Sequence, residues 1–124
     1  THLDRTLQLI LDFGLKAGVA LNPSTPPELI KYTMQKLDTI LIMTVNPGFG
    51  GQKFIHSMME KIEITREMVM QSEKMIDIQV DGGVTLENIL DLIKAGANIL
   101  VIGSQIFKSQ NPEKIIKEIQ RKLL

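Results

Sequence analysis

The sequence has no cysteine, no tryptophan, one tyrosine and four phenylalanines in 124 residues. Without thiols there is neither a disulfide framework nor a thiolate metal site, and a reducing compartment is compatible. So few aromatic rings leave little surface for stacking on nucleobases. Charge of one sign is also missing: 14 Lys and Arg balance 14 Asp and Glu, so no basic field recruits nucleic acid or an anionic membrane. No apolar run approaches the roughly 20 residues of a membrane-spanning helix. The start, Thr1-His2-Leu3-Asp4-Arg5, lacks the basic-then-apolar form of a signal peptide. These absences point to a soluble cytoplasmic protein whose partner is a small molecule, with no nucleic-acid or membrane ligand.

What is present is a regular alternation of short apolar runs and helical patterns. Leu3, Leu7, Ile10, Leu11 and Phe13 stand at helical spacing, with Gly14 as a plausible C-cap. Buried strands are expected at 17–21, 39–45, 75–80 and 98–102. Between them the pattern predicts helices from Thr25-Pro26 to Lys36, over 54–72, and from Thr85 to Ala95. A last helix follows Asn111-Pro112-Glu113. Continuous apolar strands joined by helices imply an α/β fold with a parallel sheet covered by helices.

Every expected strand ends in unusual residues: Asn22-Pro23, Asn46-Pro47-Gly48, Asp81-Gly82-Gly83 and Gly103-Ser104. The returns from helix to strand are plainer. Ligands of α/β proteins gather at the carboxyl ends of strands, and a (β/α)8 barrel places phosphate after its seventh and eighth. The densest stretch is Val45-Asn46-Pro47-Gly48-Phe49-Gly50-Gly51-Gln52-Lys53-Phe54. Pro47 drives Asn46 out of the helical region, and the bare glycine backbone can turn sharply and offer N–H groups to an anion. A tight connection alone would also explain those glycines.

Asp81 shares one strand face with Asp77 and Gln79, while Ile76, Ile78 and Val80 share the other. If helices cover the apolar face, Asp81 points to a barrel axis. A turn aspartate before two glycines is the competing reading, and spacing leaves both open. His2 and His56 lie at no strand end and read as solvated. Met43, two residues before Val45, can line a pocket or fill the core.

Taken together, Leu41 to Phe54, then Val80-Asp81-Gly82-Gly83-Val84 and Gly103-Ser104, resemble the ribulose-phosphate 3-epimerase family. So do Asp4 to Ile10 and Lys16 to Pro26. The resemblance implies a (β/α)8 TIM barrel that interconverts D-ribulose 5-phosphate and D-xylulose 5-phosphate in the pentose phosphate pathway. It also implies a divalent metal, zinc or iron, held by two histidines and two aspartates. Carried over by motif, Gly48, Phe49, Gly50, Gly51, Gly82, Gly83, Gly103 and Ser104 bind the substrate with Met43. Asp81 is both metal ligand and one acid/base. The family's other aspartate and its histidines have no counterpart here. Residues 1–124 are thus expected to be the C-terminal half of one barrel, strands five to eight, inactive in isolation and associating as a homo-oligomer. A hexulose- or allulose-phosphate enzyme, or a non-catalytic half-barrel that binds sugar phosphates, are the alternatives.

Overall fold

The computed structural model describes residues 2–124. Helix α1 spans Leu3–Asp12 and is followed by strand β1, Gly18–Leu21. A 3-10 segment, Pro27–Lys36, leads to β2, Thr39–Met43, and helix α2 covers Met58–Ser72. Then come β3, Asp77–Asp81, α3, Ile89–Ala95, and β4, Ile99–Val101. The chain ends with a single helical turn, α4, Ser104–Phe107, and with α5, Pro112–Leu123.

The sheet order is β1-β2-β3-β4, every pair parallel. Strands in sequential order with helical crossovers are the arrangement of a (β/α)8 barrel, of which four units are present. The two faces differ as the alternation required. Leu21, Ile40, Ile42, Ile78 and Val80 are buried beneath Leu7 of α1, Ile30 and Met34, Ile62 and Val69 of α2, and Ile89 and Leu92 of α3. Their burial supplies most of the driving force for this layer. On the opposite face Leu41, Met43, Gln79, Asp81 and Val101 are only half-buried. That face is covered by no element among the described residues.

Several boundaries depart from expectation, each for a local reason. The segment 27–36 is 3-10 and not α, and its N-cap is Pro26, without a side-chain cap from Thr25. Thr25 instead donates its N–H to Asn22 O, closing a turn, and the Thr33 hydroxyl donates to Ile30 O at 2.9 Å. Such local bonds compete with an α ladder. Helix α2 begins at Met58 and not at 54, because Ile55 N–H is drawn back to Thr44 O at 2.8 Å. Strand β3 is displaced two residues at its start, leaving Met75 exposed and taking Asp81 into the ladder opposite Met43. Helix α3 begins at Ile89, since Thr85 and Asn88 close a turn on each other first. Asn111 caps α5 as its sequence predicts, accepting from Lys114 N–H.

Candidate functional site

The carboxyl ends of β2, β3 and β4 open into one cleft of about 320 Å³. Its wall carries Met43 and Asp81 from the open sheet face, the whole turn from Asn46 to Gln52, Gly82-Gly83, and Gly103-Ser104. Every candidate substrate-binding residue and Asp81 therefore border the same space, whereas Asn22-Pro23 at the end of β1 does not. The cleft is built from backbone. Positive φ at Gly48, Gly51, Gly82 and Gly83 turns the chain in a sense that L side chains resist.

The turn after β2 is fastened from inside. The Gln52 side-chain amide donates to Asn46 O at 2.6 Å and to Phe49 O at 3.0 Å, spanning the loop. Phe49, on the same cleft wall, is three-quarters exposed. The turn after β3 is fastened by Thr44, which is fully buried. Its backbone N–H donates to Asp81 O at 2.9 Å and its hydroxyl reaches both Asp81 O and Gly82 O. Further along, Asn88 Nδ2 donates to Gly83 O at 2.9 Å, and Gln105 Oε1 accepts from Leu86 N–H at 2.7 Å. These bonds tie three consecutive strand ends into one frame.

Among the described residues, Asp81 is the one formally charged side chain on the cleft wall. It stands level with Met43 on one side and Val101 on the other, as their pairing register dictates. A half-buried carboxylate between apolar neighbours and glycine amides can accept a proton from a bound carbon acid or return one. His2 and His56 are exposed and do not border this cleft. Among the described residues there is no group of three or more His, Cys, Asp or Glu side chains placed to hold a metal ion. Metal sites take three or more donors, so a donor set of Asp81 alone does not fit a complete one.

A larger groove, about 490 Å³, runs between the 3-10 segment and α2. Met34, Ile64 and Met68 line it with Lys31, Tyr32 and Gln71, and no strand-end glycine reaches it. It lacks the glycine turns that line the cleft. The roles of Thr44 and Asn88 have no local mark in the residue pattern, beyond a hydroxyl interrupting the run Ile40 to Val45 in the case of Thr44.

The family model described as the ribulose-phosphate 3 epimerase family matches residues 1–107. The chain belongs to that family. The ribulose-phosphate 3-epimerase of Bacillus subtilis is 51% identical over 120 residues, 96% of this chain and 55% of that protein. The one from Buchnera aphidicola of Acyrthosiphon pisum is 47% identical over 122 residues, 98% of this chain and 54% of that protein. The chain thus spans about half the length of the curated relatives it matches. A crystal structure of 3-hexulose-6-phosphate synthase superposes with a TM-score of 0.65 at 17% identity, covering 96% of this chain and 55% of that one. That likeness concerns the fold, and it agrees with four βα units of a barrel. No helix among the described residues is long and apolar enough to cross a membrane.

Proposed function

We propose that these residues form the phosphate-binding half, strands five to eight, of a cytoplasmic ribulose-phosphate 3-epimerase. Its reaction interconverts D-ribulose 5-phosphate and D-xylulose 5-phosphate by proton transfer at C3. The observation that carries this reading is the meeting of three glycine-bearing strand ends with Asp81 in one cleft, in a chain of this family. Amides of Gly48, Gly50, Gly51, Gly82, Gly83 and Gly103, with the Ser104 hydroxyl, suit phosphate oxygens, because oriented N–H dipoles form an anion nest. Phosphate held there fixes the sugar while its far end reacts.

Inverting a carbon beside a carbonyl takes a base on one face and an acid on the other. Asp81 serves one face, removing or returning the C3 proton, with Met43 beside the reacting carbon. The second acid belongs to residues beyond these 124, and so do the remaining donors to a divalent zinc or iron ion. Asp81 is one donor of that set. The test is exchange of the substrate C3 proton with deuterated water, using the protein as its gene encodes it. Asp81→Asn abolishes exchange while phosphate binding persists. Near-normal exchange by that variant reduces Asp81 to a turn residue, and a parent protein without exchange overturns the epimerase reading.

A further inference from the structure

We propose that Lys108 supplies the positive charge of the cleft, reaching the ligand's phosphate from the outer side of the Gly48–Gly51 turn. The inference rests on the sugar-phosphate reading and deepens it. A phosphate monoester carries nearly two negative charges at neutral pH, yet among the described residues the only formal charge on the cleft wall is the Asp81 carboxylate. Backbone amides offer partial charges that fix geometry. They do not neutralise a dianion facing a carboxylate across a small cleft.

The structure brings a cation to the rim from an unexpected direction. Helix α4 is one turn long, and the Lys108 N–H closes it on Ser104 O at 2.9 Å. This turn carries the Lys108 side chain back over the glycine loop. A Cβ on Gly51 would lie 2.7 Å from Lys108 Nζ and 3.9 Å from its Cε. The ammonium thus occupies the space a side chain at position 51 would take. Gly51 itself has φ 77°.

Five other lysines are engaged, whereas Lys16, Lys53, Lys94 and Lys114 have no side-chain bond among the described residues, and what sets Lys108 apart is its ammonium lying against Gly51. Lys36 and Lys117 pair with Asp4 and Glu113, while Lys61, Lys74 and Lys122 give their ammonium groups to backbone carbonyls. Among the described residues the Lys108 ammonium has neither a carboxylate partner nor a hydrogen bond. Its three N–H donors are uncommitted, and its flexible stem can follow a phosphate oxygen over a few ångströms. The amides set the geometry of the bound phosphate, and Lys108 adds attraction and faster capture.

The experiment measures the affinity of inorganic phosphate for the protein as encoded, in the parent, Lys108→Met and Lys108→Arg. Met keeps the length of the stem and removes the charge. At low ionic strength Lys108→Met weakens binding about fivefold, as expected for one exposed charge a few ångströms from a phosphate. At about 0.5 M salt the difference largely disappears, because exposed charges are screened. Lys108→Arg stays within about twofold of the parent. A parent that binds phosphate while Lys108→Met binds it equally well at low salt overturns the role of Lys108 and leaves the phosphate site standing. Equal weakening by Met and Arg means charge is not the determinant and also overturns it. A parent that binds no phosphate removes both readings together.

Discussion

Replacing Gly83 by alanine tests how tightly the strand ends of the cleft are joined. Gly83 has φ 66°, in the left-handed region. A Cβ there would collide with the Phe54 backbone nitrogen and lie 2.7 Å from Phe54 Cα. Those atoms are main chain and cannot rotate aside. They are also anchored, since the next residue, Ile55, donates its N–H to Thr44 O at 2.8 Å. An alanine forced into the left-handed region costs about 1–2 kcal/mol. Overpacking against fixed neighbours costs about 1–3 kcal/mol more, and the two together give about 2–5 kcal/mol. That is a large share of the roughly 5–15 kcal/mol that holds a typical domain folded. Gly50 is the control, with no positive φ and no atom within 4 Å of a Cβ. Urea unfolding of the encoded protein should show Gly83→Ala losing at least about 2 kcal/mol and Gly50→Ala within about 0.5 kcal/mol of the parent. Phosphate affinity should fall with the first, because the loop must move to admit the methyl. A loss below about 1 kcal/mol for Gly83→Ala would refute the close approach of the two turns.

Three other outcomes follow from the same frame. Thr44→Val keeps the shape and removes the hydroxyl that reaches Asp81 O and Gly82 O, so it should cost about 1–3 kcal/mol in denaturant unfolding. A neutral result would mean these carbonyls find water. Lys61 is buried with its ammonium on Asn22 O at 2.6 Å, and burial, offset in part by Glu28, holds its pKa below the ordinary 10.5. The unfolded chain then binds the extra proton between those two values, so stability relative to Lys61→Met should rise as pH climbs through that window. A pH-independent difference in urea midpoint would contradict this. Finally, among the described residues β1 pairs only with β2 and β4 only with β3, so a polypeptide of these 124 residues alone should sediment as a dimer or larger, covering its strand edges. A soluble, folded monomer at all concentrations would count against it.

The Asn46 to Phe54 stretch announced its own geometry, because glycine and proline restrict or free the backbone wherever they stand. The same holds for Asn111-Pro112, whose cap is local. The start of β3 is not set locally. Its apolar run begins at Met75, but its ladder begins where Asp77 N–H meets Asp38 O, a bond to a residue 39 positions earlier. The register of a strand belongs to its partner as much as to its own sequence. Thr44 was invisible for a related reason, since its hydroxyl acts on carbonyls 37 and 38 residues away. The 3-10 form of 27–36 turns on competition between nearly equal local bonds, which residue pattern alone does not resolve.

The division of labour within the proposed site also follows from sheet geometry. An anion cradle can be assembled from neighbouring turns, because adjacent strands end about 5 Å apart, within the span of one phosphate. Three consecutive strand ends suffice, and β2, β3 and β4 provide them. Proton transfer to opposite faces of one carbon is different. Two carboxylates must flank the carbon, and a single layer of four strands presents only one wall. Asp81 stands on that wall, between Met43 and Val101. Any opposing acid must project from a surface lying across the open face of the sheet. On the proposed reading, the strand ends of this one wall hold the phosphate, whereas epimerisation requires a second wall.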